Sequence, residues 1–431
     1  MTFRHERLAN GLEIVAEITD DALSTSVGFF VRTGARDETT ATWGVSHFLE
    51  HMVFKGTDQL SADEINRRFD WMGASANAFT SEEDTVYHAA VLPAQQHDAT
   101  ALLAAMMRPA LRAEDFATEK LVILEEIRMY DDQPPFGADE RCRAAYFGGH
   151  PLGRSVLGTV ESIEALPLEA MRDYHRRRYA PGNIVLAATG AVDFPALVET
   201  ARRHCGDWAP CPDPSGLPSS ALARGPHHSV FETIVRQAAT LAYGVRMSAG
   251  PAGDDDDRYA AKLLATVLGD DSGSRLYWAL VDPGIAEQAS CHHQDFRDAG
   301  LFTTQIACDA ADAAMILEEV GAMYAAAASA GVSAAELEQA RNKLAGRVVL
   351  VGERPRRRLF SVGLEWSRAG VYRSVADDLA IVEGLRLDDL HRVLARWPLD
   401  GVAATVMAGP GSAADGPDPA DPSVPAMDDT Q

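Results

Sequence analysis

The chain has 431 residues, 46% of them apolar, and carries 39 Lys and Arg against 63 Asp and Glu, a formal net charge of −24. That length exceeds one ordinary hydrophobic core and points to two domains, while so acidic a chain argues against nucleic acid or an anionic membrane as partner and suits cationic ligands. The five cysteines, Cys142, Cys205, Cys211, Cys291 and Cys308, are scattered with no C-x-x-C pair, which argues against a disulfide framework and a thiolate zinc site.

The N-terminus, "MTFRHERLANGLEIVAEI", runs straight into strand-like alternation without the apolar core of a signal peptide. No apolar run is long enough to span a membrane, so the expectation is a soluble, cytoplasmic protein. Strands are predicted in "LEIVAEI" and "TSVGFFVRTG", between about 12 and 33, and a helix over 43–54. A second helix starts at "SADE", where Ser61 and Glu64 have capping-box spacing, and stops near Gly73. Strand signals return in "NAFTSEEDTVYHAAVL", followed by helices near 95–107, 112–130 and 167–178 and the strand "NIVLAATG". Strands and helices mix without regular alternation, which gives an α+β class.

Residues 209–226, "APCPDPSGLPSSALARGP", read as a linker between domains at 1–208 and 227–410. The segment "LPLEAMRDYHRRRYAPGNIVLAATG" ends the first half and "LRLDDLHRVLARWPLDGVAATVMAG" the second; Leu166 pairs with Leu385 and Gly190 with Gly409, both at an offset of 219, which points to duplication. The Pro-, Asp- and Ala-rich end, 411–431, reads as a disordered acidic tail.

The stretch "WGVSHFLEHMVFKGT" carries the chemistry. On a helix, His47 and His51 are four apart and share a face, so their imidazoles can converge on one ion. Two histidines at this spacing are more often ordinary polar residues than ligands, but Glu50 beside them completes H-x-x-E-H, the inverse of the H-E-x-x-H metalloprotease motif. Imidazole suits Zn²⁺, and a catalytic zinc site takes three protein ligands and leaves one position for water. The ion lowers the pKa of that water, and a nearby carboxylate takes its proton. A third ligand is sought in "FATEKLVILEEIRMYDD". Glu119 and Glu126 are two turns apart on one helix face, with Glu125 about 100° away. Spacing alone does not choose between Glu125 and Glu126.

Taken together, "GVSHFLEHMVFKGT", "GASANAFTSEEDTVYHAAVL", "EKLVILEEIRMYDDQP", "HPLGRSVLGT" and "YAPGNIVLAATG" resemble the inverzincin peptidases of the pitrilysin and insulin-degrading type, most closely the mitochondrial-processing-peptidase-like bacterial branch. The resemblance spans most of residues 8–410. It implies His47, His51 and Glu126 as ligands of one Zn²⁺, Glu50 as catalytic base, and Glu119 as a catalytic-site glutamate that supports a ligand. It also implies two homologous α+β domains of the processing-peptidase and LuxS-like metallohydrolase fold, each a mixed, mostly antiparallel sheet packed against helices, and a two-subunit chamber that admits unfolded peptides. "SANAF" matches the edge strand along which a substrate lies, with Asn77, Ala78 and Phe79 as substrate-binding residues. Glu140 falls near a position that reads an arginine next to the cleavage site.

The resemblance also exposes a gap. The family carries an Arg and, seven residues later, a Tyr that face the zinc, often from the other subunit. In "SRLYWALVDPGIAEQASC", Val281 and Glu287 stand at those places. An aliphatic side chain lacks the forked donors of a guanidinium, and a carboxylate repels a developing oxyanion. The expectation is a zinc endopeptidase working as a heterodimer with a homologous subunit that supplies the Arg/Tyr pair, with a homodimer using Arg275 or His292 as the alternative. A non-catalytic assembly subunit is the competing function.

Overall fold

The computed structural model describes residues 1–211 and 223–410. Most of the expected linker and the whole expected acidic tail therefore lie outside the described residues. Two sheets organise the chain. The first contains β1 (Thr2–Arg7), β2 (Glu13–Ile18), β3 (Thr25–Val31), β4 (Ser75–Thr80), β5 (Thr85–Val91) and β6 (Ile184–Gly190), in the order β1-β2-β6-β3-β5-β4. The second contains β7 (Val230–Val235), β8 (Ala242–Gly250), β9 (Ala286–Asp295), β10 (Gly300–Cys308) and β11 (Ala403–Gly409), in the order β7-β11-β8-β10-β9. Without β1 the two orders are the same. Each sheet has a single parallel pair, β2 with β6 and β7 with β11, in an otherwise antiparallel ladder. The repeat read from the sequence falls on equivalent elements: α7 (Leu168–Arg178) with β6, and α14 (Leu387–Arg396) with β11.

Strand β3 is buried at every position because both faces of its sheet are covered. Ile14, Val27, Phe29, Tyr87 and Leu186 face one way, against Val45, Phe48 and Leu49 of α1 (Val45–Val53) and Leu102 and Leu103 of α3 (Gln96–Met106). Val15, Phe30, Val86 and Val185 face the other way, against Leu359 and Val362 of α12 (Pro355–Ala369). Full burial of each such side chain contributes about 1.5–3 kcal/mol. Gly363 permits the approach of α12, since a Cβ there would lie 2.2 Å from the Phe30 ring.

Helix α12 comes from the second half of the sequence yet belongs to the first sheet. Conversely, α5 (Ala138–Phe147) sends Ala138, Cys142, Tyr146 and Phe147 into a core with Val245, Met247, Ala404 and Val406 of the second sheet. The compact units accordingly exchange segments: 345–383 groups with the first and 129–153 with the second. A single cut at the linker does not describe this grouping. Periodicity reveals that a helix has an apolar face, not which sheet that face covers. No helix among the described residues is long and apolar enough to cross a membrane.

Candidate active site

The site is built on α1 and on α4 (Ala113–Asp132), both in the first unit up to Arg128. Val45, Phe48, Leu49 and Met52 fix α1 in the core. Its start is held by Glu38, whose two carboxylate oxygens accept the backbone N–H groups of Gly44 and Ser46, each at 2.7 Å. Burial pushes the Glu38 carboxyl up to about 8, against the pull of those two donors. The Ser46 hydroxyl meets the Tyr174 hydroxyl at 2.7 Å, and Tyr174 in turn meets Thr33 at 2.7 Å. Gly44 is left-handed, with φ +87°, and a Cβ there would meet Ile163 at 2.6 Å. The helix start is thus fixed by buried polar contacts and close packing.

From this base His47 and His51 point their Nε2 atoms at one oxygen of Glu126, with Nε2···Oε2 distances of 3.8 and 3.7 Å. The ligand atoms of His47, His51 and Glu126 all lie within 4.8 Å of one another. A tetrahedral zinc with bonds of about 2.0–2.1 Å needs its ligand atoms roughly 3.3 Å apart, so small side-chain shifts would close this set around an ion. Two imidazoles and a carboxylate are also the right donors. Burial, then the neighbouring His51, pushes His47 down to about 3, which keeps its imidazole neutral and able to donate a lone pair. His51 is held above its usual value: burial lowers it, but the hydrogen bond it gives to Glu119 and the carboxylates of Glu126, Glu119 and Glu50 outweigh that.

Glu119 Oε1 lies 2.8 Å from His51 Nδ1 and Oε2 lies 2.5 Å from Lys55 Nζ. Burial raises the Glu119 carboxyl, but the hydrogen bonds and charges of His51 and Lys55 prevail and hold it below the usual range. In the neutral imidazole of His51, an ionised Glu119 accepts the Nδ1 proton as a hydrogen bond, which leaves Nε2 unprotonated for a ligand. Glu125 does the opposite: its side chain is 72% exposed and pairs with Arg128. Glu119→Gln is therefore expected to weaken metal affinity or peptide cleavage by about 10–100-fold, and Glu125→Gln by less than about twofold. A metal titration and a cleavage assay on both variants check this; the reverse ranking would place the wrong carboxylate behind His51.

Glu50 is buried next to the pair, and its Oε2 accepts a hydrogen bond of 2.5 Å from Thr80 at the end of β4. Burial raises its carboxyl pKa; Thr80 and His51 lower it in part, and Glu126 adds to the rise. Asn77, Ala78 and Phe79 lie on β4, the edge strand of the first sheet. The Ala78 N–H is covered by Asn77 Oδ1 at 2.9 Å, and the Phe79 ring packs 5.7 Å from Phe360. Glu140 lies on α5, grouped with the second sheet, and is not part of the three-residue cluster.

Residues 14–160 match the family described as insulinase, peptidase family M16, and residues 165–344 match the one described as peptidase M16 inactive domain. The chain belongs to peptidase family M16. An uncharacterized zinc protease of Mycobacterium leprae is 31% identical over 408 residues, covering 94% of this chain and 91% of that protein. A protease from Helicobacter pylori superposes with a TM-score of 0.88 at 23% identity, covering 95% of this chain and 99% of that one. A Pseudomonas fluorescens structure described as a peptidase M16 inactive domain gives 0.86 at 18% identity, covering 96% and 99%. At these identities the two structures establish fold alone.

In this M16 chain, His47, Glu50, His51, Glu119 and Glu126 all fall inside the first matched segment, whereas Val281 and Glu287 fall inside the second. Sequence reasoning missed Glu38, Lys55, Thr80 and Tyr174 around the site. Lys55 was in view, one turn beyond His51, but a lone lysine gives no sign of its acid partner. Glu38 and Thr80 reach the site only through tertiary contact.

Proposed function

We propose that this chain is a zinc-dependent endopeptidase acting on peptides or unfolded segments, with His47, His51 and Glu126 as the zinc ligands and Glu50 as the base. The observation that carries the reading is the convergence of His47 Nε2, His51 Nε2 and Glu126 Oε2 beside the buried carboxylate of Glu50. Bound there, Zn²⁺ supplies the Lewis acid that polarises a scissile carbonyl and acidifies water. Thr80 occupies Oε2 of Glu50, so Oε1 is the oxygen that takes the proton of the attacking water. The same oxygen then hands the proton to the leaving amine. The raised pKa of Glu50 suits both halves of that exchange. Glu119 and Lys55 keep His51 in the tautomer a ligand needs. An extended peptide adds to the free edge of β4, displacing Asn77 Oδ1 from the Ala78 N–H and taking main-chain hydrogen bonds in its place.

The partner is the second part of the reading. Val281 and Glu287 offer neither a guanidinium nor a phenol. Arg275, one of the alternative donors, has its Nε and Nη2 on Glu336 at 2.6 and 3.0 Å and a further bond to the Gly331 carbonyl. A donor so engaged is a poor substitute, which favours a heterodimer with a homologous subunit that supplies the Arg/Tyr pair. The test is peptide cleavage by the purified chain, after chelation, after zinc return, and after addition of a homologous subunit. Activity should vanish on chelation, return with zinc and rise at least tenfold with the partner. Full activity without a partner would remove the heterodimer. Cleavage that survives complete metal removal would remove the zinc mechanism, and a partnered, zinc-loaded chain that cleaves nothing would favour an assembly subunit.

A further inference from the structure

The start of α12 carries an unusual charge pattern in "ERPRRRLF". Arg358 turns inward and is buried against Glu17. Arg354, Arg356 and Arg357 are exposed, and none has an acidic partner among the described residues. In a chain with 63 acidic residues and a net charge of −24, three unpaired arginines within four positions call for a reason. Helix stability does not provide one, since cations in the first turn oppose the helix dipole.

Their position does provide one. Side chains alternate along β4. Ala76, Ala78 and Thr80 face the α1 side, where the alanines pack on the main core and Thr80 bonds Glu50. Ser75 and Phe79 face the α12 side: Phe79 packs on Phe360, and Arg356 Nη1 donates to Ser75 Oγ at 3.4 Å. Arg356 and Phe360 are four apart on one helix face, so they flank the same side of the edge strand. A peptide lying along β4 passes Glu50 near Thr80 and reaches Ser75 about five residues, or roughly 17 Å, further on. A side chain turned to the α12 side at that point meets the Arg356 guanidinium, with Arg354 and Arg357 adding to the local positive potential.

We infer that the edge-strand path ends in a subsite for a carboxylate, built on Arg356 and supported by Arg354 and Arg357, about five residues from the scissile bond. This rests on the proposed edge-strand binding of peptides. Its ligand is an Asp or Glu side chain of the substrate, for which the planar fork of arginine is the matching donor. A peptide's C-terminal carboxylate has the same chemistry, and amidation separates the two. The preference is local and opposite in sign to the cationic preference expected from net charge.

The test compares matched peptides, each made with an amidated and with a free C-terminus, carrying Glu or Gln at the fourth to sixth residue on either side of one cleavable bond. Wild-type protein at low ionic strength should favour the Glu peptide about fivefold in kcat/KM, mainly through KM, and salt should shrink the ratio. In Arg356→Gln the ratio should fall to about one, with an unchanged melting temperature reporting an intact fold; Arg354→Gln/Arg357→Gln should reduce it in part. Binding of the same fluorescent peptides to the Glu50→Gln protein reads the subsite without turnover. A wild-type ratio of one, or a preference that survives Arg356→Gln, overturns the inference. A preference confined to peptides with a free C-terminus reassigns the site to the terminal carboxylate and overturns the side-chain form. If no peptide is cleaved but Glu peptides bind more tightly, the subsite stands and the proposed chemistry falls.

Discussion

Glu50→Gln is expected to retain zinc at wild-type stoichiometry and to lose peptide cleavage by about 10²–10⁴-fold, the range for removing a positioned general base. The two readouts separate because Glu50 is not among the three converging ligand atoms. The substitution keeps volume and polarity, and the glutamine carbonyl can still accept the hydrogen bond that Thr80 now gives to Oε2. What it removes is proton affinity at the other oxygen, since an amide neither takes a proton from water nor returns one to an amine. His51→Ala is the complementary variant: it deletes one ligand atom and should lose most of the zinc along with activity. Zinc content by elemental analysis and kcat/KM on one peptide check both, and near-normal turnover by Glu50→Gln would end the case for this residue as base.

The second large effect is on stability. Arg358 and Glu17 form a pair with side-chain exposures of 4% and 1%. The guanidinium gives Nε to both oxygens at 2.8 and 2.9 Å and Nη2 to Oε2 at 2.7 Å. Tyr372 adds its hydroxyl to the same carboxylate at 2.8 Å, and the pair ties α12 to β2. Arg358→Leu leaves a buried carboxylate with only the tyrosine for company and should cost about 3–5 kcal/mol, the usual penalty for stranding one member of a buried pair. Replacing both residues, Glu17→Leu/Arg358→Leu, should recover most of that, because two apolar side chains carry no desolvation penalty. Urea midpoints of the three proteins decide the matter; a loss under about 1 kcal/mol in the single variant would mean that water reaches the pair.

Much of this was legible in the sequence, for identifiable reasons. Helix α1 and its two histidines are a local pattern, and local spacing alone puts their imidazoles on one side. The duplication was legible because Leu166–Gly190 and Leu385–Gly409 each carry a helix and a central strand, buried elements whose apolar spacing is tightly constrained. The choice of Glu126 over Glu125 was not legible from spacing. It depends on which flank of α4 faces α1, and the structure has Glu126 by the histidines and Glu125 in solvent. Within the strand-like N-terminus, β1 was not distinguished as a strand of its own, because all of its residues except Phe3 are exposed and no apolar face marks it. Glu38 escaped for another reason: a carboxylate that caps a helix start from six residues upstream, outside the helix, has no sequence signature.

The exchange of segments between the two units sets a timetable for the growing chain. Val15, Phe30, Val86 and Val185 are made early, but the helix that covers them begins only at Pro355. At about 5–20 residues per second, synthesis reaches that helix roughly ten to thirty seconds after β6 is complete. For that interval the first sheet offers a bare apolar face to whatever is nearby. The N-terminal half therefore leaves the ribosome with its H-x-x-E-H motif already synthesised and one side of its sheet unsealed, and completing this M16 chain waits on the last quarter of its own translation.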